Sequence, residues 1–325
     1  MEYKHNGRII KCVGGLYTVR LIEDDALPLS GADVECRARG NFRHEKMTPL
    51  VGDNVIVRYD DGSFVPTDGG TPCPDKDGRG IVIDTICERK NSLIRPPLSN
   101  LDYVLVCMAA THPEPDISTI DKLLCILEFN KIEPVVIIGK CELAPESADR
   151  LEKIYSMAGY RVFKLSCATG DGIDALRDFI DTELVRGITA VAGASGVGKS
   201  TLLNTLFPSL GLVTGNISEK IMRGKNTTRH TQLYPLSGGG YIADTAGFSL
   251  LDFERFDFMD KEDLPYTMRE FRPLLGSCRY TDCTHTKEED CAIVSALRRG
   301  EIAPTRHQSF LELYAILKDK HKWDK

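Results

Sequence analysis

Residues Gly193-Ala194-Ser195-Gly196-Val197-Gly198-Lys199-Ser200-Thr201 carry the spacing G-x-x-x-x-G-K-[ST], which suits one kind of chemistry. Glycines let backbone N–H groups close around phosphate oxygens, a following helix N-terminus adds a favourable dipole, the lysine reaches the β- and γ-phosphates, and the Ser hydroxyl ligates Mg²⁺. On this reading Lys199 and Ser200 hold a nucleotide triphosphate and its metal. The competing reading is a plain Gly-rich turn. The flanks favour the nucleotide, because Gly187 to Ala192 reads as a short buried strand and Ser200 to Leu206 as the opening of a helix.

A second set is Cys278-x4-Cys283-x-His285-x5-Cys291, three thiols and one imidazole within fourteen residues. Four such soft ligands suit tetrahedral Zn²⁺, and with no open position the site is structural rather than catalytic. Eight other cysteines stand singly, mostly inside apolar runs where a thiol packs as a small hydrophobe. That usage favours metal over disulfides.

A third set is Asp244-Thr245-Ala246-Gly247, a D-x-x-G at the end of a strand beginning at Tyr241. The segment before it, Thr214 to His230, sets Lys220, Arg223, Lys225 and Arg229 against one acid, Glu219. A nucleotide hydrolase that reads guanine carries its base-reading strands after D-x-x-G, and no strand–helix pair follows here. Upstream, Gly139-Lys140-Cys141-Glu142 ends a strand where N-K-x-D is expected, and Ser166-Cys167-Ala168 ends the next where S-A-K is expected. Base-reading motifs first and phosphate motifs second make a circular permutation, which a doubly wound sheet tolerates if its original termini lie close together.

The elements that must position these groups follow from periodicity. Residues 1–95 hold short β-branched runs (8–13, 16–20, 54–59) between Gly-, Asp- and Pro-rich turns, suited to a small oligonucleotide-binding (OB-fold) barrel. Within it, Cys36 to Lys46 interleaves arginines with Phe42, a pattern that meets phosphate charge and base faces, and equally a solvated strand edge. Residues 60–80 read as a mobile loop. Buried-strand patterns at 103–109, 134–138 and 161–165 alternate with helical ones at 117–129, 147–157 and 173–184, so a parallel α/β sheet runs into the phosphate loop. From about residue 257 the chain is polar, helical and cysteine-bearing. The domains are therefore 1–95, 96–256 and 257–325.

The chain resembles the circularly permuted ribosome small-subunit biogenesis GTPases, the RsgA or YjeQ family, over its whole length. The resemblance rests on His112-Pro113-Glu114, Glu128-Phe129-Asn130-Lys131-Ile132-Glu133-Pro134, the Gly196–Ser200 loop, Thr227-Thr228, Asp244 to Phe248 and the cysteine cluster. It implies an N-terminal OB-fold barrel, a central permuted α/β P-loop GTPase domain and a mainly helical zinc-binding C-terminal domain. It also implies late maturation of the small ribosomal subunit, rRNA contact, and hydrolysis stimulated by that subunit. Carried over residue by residue, Lys199 and the loop amides hold the phosphates. Ser200, Thr227 or Thr228 and, through water, Asp244 set Mg²⁺, and Gly247 offers its N–H to the γ-phosphate.

Three departures stand out. Gly139 replaces an Asn or Thr and so offers no amide. Glu142 replaces an Asp and is longer by a methylene. Asn226 stands where the family often has His, and His230 reads either as its substitute or as a surface histidine. Phe248, an apolar residue shared with the family, cannot orient water, so intrinsic turnover should be slow.

Composition bounds the rest. At 325 residues with 42% hydrophobic and 27% charged residues, the chain suits a soluble multidomain protein. The net charge of −6 argues against unspecific coating of nucleic acid but permits a local basic face, of which Arg298, Arg299, Arg306, Lys318, Lys320 and Lys322 form a candidate. No stretch is apolar enough to span a membrane and no signal segment opens the chain, so a cytoplasmic protein is expected, and nothing asks for a dimer. Two rivals remain: a nucleotide-gated RNA-binding module with negligible hydrolysis, and an ATP-dependent small-molecule kinase, for which no substrate pocket or lid is visible in the sequence.

Overall fold

The computed structural model describes residues 2–27, 29–43, 47–60, 64–65, 73–74, 80–93, 96–184, 186–208, 231–236, 238–245 and 259–318. They divide into two compact units: residues up to Asp102 with Leu184–Ala190 and the described part of Gly215–Ala246, and the remainder.

In the first unit, strict alternation builds strands with one buried face. Tyr17, Val19 and Leu21 turn inward from β2 (Leu16–Leu21), and Val55, Val57 and Tyr59 from β4 (Asn54–Asp60). With β1 (Glu2–Val13), β3 (Asp33–Ala38) and β5 (Val82–Ile86), these described strands pair in a ring. The order is β1–β2–β3 antiparallel, β3–β5 parallel, then β5–β4 and β4–β1 antiparallel. Closure of the ring leaves no free sheet edge, as expected for an OB-fold barrel. The far end of β1 also pairs with β10 (Thr231–Pro235), through Lys11 opposite Gln232 and Cys12 opposite Thr231. Strand β10 runs antiparallel to β11 (Tyr241–Thr245), and β11 runs parallel to the start of β9 (Ile188–Gly193). Of the arginine-rich stretch, Arg39 is held at 2.5 Å by Asp84, and residues 44–46 lie outside the described residues. So does most of the 60–80 segment, apart from the paired strands Phe64–Val65 and Cys73–Pro74.

In the second unit, β6 (Tyr103–Ala109), β7 (Glu133–Gly139) and β8 (Arg161–Lys164) are parallel neighbours. Strands β6 and β7 read as continuous apolar runs because both faces are buried. Helix α1 (Ile117–Phe129) is capped by Asp116, whose carboxylate accepts the Thr119 N–H. Helix α2 spans Pro145–Met157 and α3 Ile173–Phe179, after which a wider turn carries the chain over Ile180–Leu184. Helix α4 (Lys199–Leu206) follows the phosphate loop.

The C-terminal part, with α5 (Leu264–Thr267), α6 (Ala292–Arg298) and α7 (Pro304–Lys318), packs Met259, Met268, Phe271, Ile293, Phe310 and Leu313 into one core with Cys125 of α1. One face of α1 serves this packing, at helical spacing. Ser118 donates to Glu312 at 2.6 Å, Asp121 accepts from Arg306 at 2.7 Å, Cys125 meets Met268 Sδ at 3.5 Å, and Glu128 pairs with Arg269 and Arg272.

Arg306 corrects a sequence expectation. Expected on a basic surface, it is fully buried, lying between Asp121 and Glu270, each at 2.7 Å, with its guanidinium 5.5 Å from the Tyr160 ring centre. Burial opposes the charge, but the two carboxylates outweigh it and hold Arg306 well above its ordinary pKa. Arg299 is exposed and paired with Glu301. Arg298 and Lys318 are also exposed, and Lys320 and Lys322 lie outside the described residues.

Candidate functional site

The phosphate loop is shaped by close approach and by left-handed backbone. Gly193 has φ of 147°, and a Cβ there would sit 2.2 Å from the carbonyl oxygen of Cys107, so only glycine lets β9 pass β6 this closely. Gly196 and Gly198 have φ of 80° and 101°, and Gly198 caps α4. Lys199, the first residue of that helix, folds its ammonium back onto the loop and donates to the carbonyls of Gly193 at 2.8 Å and Ala194 at 2.7 Å. Burial lowers its pKa, with the neighbouring Cys107 acting the other way. A phosphate would offer this ammonium stronger, charged acceptors than two carbonyls. Ser195 and Gly196 are exposed at the loop tip, Ala194, Ser200 and Gly198 are half-buried, and Val197 is buried.

The base-reading candidates come to the same place from β7 and β8. Lys140, at φ of 58°, donates to the Gly196 carbonyl at 2.9 Å and to the His112 carbonyl, so one cation ties three loops together. Cys141 donates its N–H to Leu165 O at 3.3 Å and its thiol to Ile138 O at 3.0 Å, which fixes the turn. Glu142 is exposed. Ser166 is buried, accepts the Thr169 N–H at 3.1 Å on its hydroxyl and donates its own N–H to Asp171 O at 2.9 Å. This turn presents Cys167 and Ala168.

Between these loops lies a cleft of about 250 Å³. Of the residues expected from sequence, Gly139, Lys140, Glu142, Cys167, Ala168, Val197, Gly198 and Thr201 line it. Its remaining walls, among them Cys107, Met108, Leu165 and Leu202, carry no motif. His112 likewise had no assigned role, and it enters only through its carbonyl. Asp244 lies in β11, opposite Gln232. Its side chain, and Thr227, Thr228, Gly247, Phe248, Asn226, His230 and the basic segment before them, lie outside the described residues.

The second site is built from Cys278, Cys283, His285 and Cys291, whose ligand atoms all lie within 4.8 Å of one another. A tetrahedron around zinc has S···S edges of about 3.8 Å and S···N edges of about 3.6 Å, given metal–sulfur bonds of about 2.3 Å and metal–nitrogen bonds of about 2.0–2.1 Å. Cys278 Sγ lies 3.8 Å from Cys291 Sγ and 3.6 Å from His285 Nδ1, and Cys291 Sγ lies 3.5 Å from that nitrogen. Backbone N–H groups of Ala292 and Val294 point at the sulfurs of Cys278 and Cys291, at 3.4 and 3.5 Å, which stabilises thiolate charge. Burial lowers the His285 pKa and favours the neutral imidazole that ligates metal. Glu288 braces the loop through Thr284, Thr286 and Lys287. His307 Nε2 reaches His285 O at 2.9 Å. The donor set and the three edges among Cys278, His285 and Cys291 fit zinc.

A family model described as RsgA GTPase matches residues 86–254, and one described as RsgA N-terminal domain matches residues 6–63. The chain belongs to the RsgA GTPase family. A small ribosomal subunit biogenesis GTPase RsgA of Agathobacter rectalis is 38% identical over 98% of this chain and 99% of its own length. Among solved structures, YjeQ from Thermotoga maritima is 30% identical with a TM-score of 0.74, covering 98% of this chain and 100% of that one. YloQ, described as a circularly permuted GTPase, is 32% identical with a TM-score of 0.72, covering 98% and 96%. In this chain Gly139 to Glu142, at the end of β7, precede the phosphate loop, the order of a circular permutation. No described helix is long and apolar enough to cross a membrane.

Proposed function

We propose that this chain binds and hydrolyses GTP as a checkpoint in late maturation of the small ribosomal subunit, acting as a monomer in the cytoplasm. The observation that most directly supports it is the shared cleft, in which Lys140 and Glu142 stand beside Val197, Gly198 and Thr201. One ligand with a base at one end and phosphates at the other fits that arrangement.

In this reading the parts are an OB-fold barrel over 1–95, a permuted GTPase domain over 96–256 and a zinc domain over 257–325. The amides of Gly193 to Thr201 and Lys199 cradle the phosphates, while Ser200, Asp244 and Thr227 or Thr228 serve Mg²⁺, which neutralises charge developing on the phosphoryl group. Gly247 donates its N–H to the γ-phosphate. Lys140, Glu142 and the Ser166–Ala168 turn hold the base. Cys278, Cys283, His285 and Cys291 hold one structural Zn²⁺. The barrel and the zinc domain meet rRNA, and because the apolar Phe248 cannot orient an attacking water, turnover depends on the subunit.

Phosphate release from GTP, with ATP as control, with and without purified small subunits, tests this directly. Large GTP-specific stimulation is expected. Tight GTP binding without stimulation would overturn the hydrolytic cycle and leave a nucleotide-gated RNA-binding module.

A further inference from the structure

Strands β9 and β11, which lead to the phosphate loop and to Asp244, begin side by side. Ile188 and Tyr241 are register partners, and the Tyr241 N–H donates to the Gly187 carbonyl at 2.8 Å. Asp102 secures the start of β9, accepting the Ile188 N–H at 2.9 Å and the Lys90 ammonium at 2.7 Å. The joint is tight, since a Cβ on Gly187 would lie 2.6 Å from the Asp102 carboxylate. Close packing of this kind transmits displacement rather than absorbing it.

The start of β11 is held by the barrel itself. Arg8 of β1 and Arg20 of β2 stand directly opposite one another, an arrangement of like charges that is destabilising unless each finds a partner. Arg8 donates to Asn54 at 3.1 Å, and Arg20 donates to both oxygens of Asp33 at 2.7 Å. Tyr241 is a partner to both. The Arg8 guanidinium carbon lies 5.3 Å from the centre of its ring, within reach of a cation–π contact. Asp33 raises the Arg20 pKa, and a hydrogen bond to Tyr241 adds to the effect. Beside this clasp runs the β1–β10 ladder, in which Gln232 is opposite Lys11 on one side and opposite Asp244 on the other. The β10–β11 hairpin is thus fastened to the barrel through both of its strands.

We infer that Tyr241 is a positioning residue: clasped by Arg8 and Arg20, it passes engagement of the barrel by the small subunit on to Asp244, three residues further along β11. This rests on the proposed reading of a GTPase stimulated by that subunit. In that reading Tyr241 touches neither the nucleotide nor the metal. Its loss therefore leaves the nucleotide site in place and uncouples it from the barrel.

The test uses the full chain and phosphate release from GTP at rising concentrations of purified small subunits, with GTP affinity measured alongside. In Tyr241→Leu, kcat at saturating subunit should fall about three- to tenfold, the range a lost cation–π contact supplies. Turnover without subunits, GTP affinity and the half-saturating subunit concentration should stay within about twofold of native, a split that separates coupling from binding. Tyr241→Phe keeps the ring over Arg8 and should retain most of the stimulation. Arg8→Gln should lower the saturated kcat by a similar factor, and it carries the test if Tyr241→Leu fails to fold. The double variant Arg8→Gln, Tyr241→Leu should be no slower than the slower single variant, as for two halves of one contact. Native stimulation in both single variants, or additive losses in the double variant, would overturn the inference and leave the GTPase reading standing. So would equal loss of GTP binding in Tyr241→Leu and Tyr241→Phe, which would make Tyr241 structural. If small subunits fail to stimulate the native chain, that reading fails and the inference falls with it.

Discussion

The base-reading end of the cleft and the cysteine cluster hold their polar groups under opposite constraints. In the cluster, four ligand atoms lie within 4.8 Å and backbone N–H groups address the sulfurs of Cys278 and Cys291. Nearby, Arg306 is buried between two acids. In the cleft, Gly139 offers no side chain, Glu142 is exposed, and Lys140 bridges to the phosphate loop by one hydrogen bond to the Gly196 carbonyl. A group lost from the open cleft is replaced by water at little cost. A group lost from the closed region leaves buried partners unsatisfied. The difference explains why substitutions at the base-reading end cost little while each residue of the cluster is tightly constrained.

The comparison breaks most visibly at the cluster. Cys291→Ala removes both a proposed zinc ligand and the sulfur that caps α6 by accepting from Val294. Structural zinc contributes apparent binding energies of about 10–16 kcal/mol in small zinc domains, all of it folding energy. The variant should therefore lose its metal, measured as zinc per chain falling from one toward zero, and residues 259–318 should become sensitive to protease. Strong chelators should do the same to the native chain. GTP binding that survives both treatments would show the two regions to be independent.

Arg306 gives the next largest effect. Arg306→Leu strands Asp121 and Glu270 in the interior, and breaking a buried ion pair in this way costs about 3–5 kcal/mol. Chemical denaturation should show a loss of that size. The triple variant Arg306→Leu, Asp121→Asn, Glu270→Gln, which leaves no bare charge, should recover much of it. No recovery would mean that packing rather than charge holds α7 to α1.

What the sequence revealed divides along the same line. The phosphate loop and the cluster are legible because their chemistry is local, with every group within a few residues of the next. Helix α1 begins and ends where its apolar period does. Helix α2 starts earlier than expected, at Pro145, because proline is well suited to a first helical turn. Arg306 was misread because its partner Asp121 lies 185 residues away, and a charged helix residue otherwise signals solvent. Cys107, Met108 and Leu165 are ordinary strand-end hydrophobes in the sequence. They become cleft walls only through strand order, which no local pattern encodes.

At the open end the expected effects shrink. Lys140→Met removes hydrogen bonds from the ammonium to the carbonyls of Gly196 and His112. Bonds from a charged donor are worth about 1.5–3 kcal/mol at most, and less at an exposed site. GTP affinity should drop about tenfold while the denaturation midpoint barely moves. A large fall in stability would mean that Lys140 is structural and that the cleft is as tightly constrained as the cluster.

The smallest effect belongs to Glu142. Its proposed task is to accept the N1 and N2 hydrogens of guanine, and inosine triphosphate lacks the N2 amino group. The native chain should then prefer GTP to ITP by a few-fold, since a solvated carboxylate gains only about 0.5–1.5 kcal/mol from one such bond. Glu142→Ala should bring the ratio to about one and Glu142→Asp should raise it, because a shorter carboxylate has less rotamer freedom to lose. Competition binding of the two nucleotides measures both. A ratio unmoved by Glu142→Ala would assign base reading to the backbone of Cys167 and Ala168 instead.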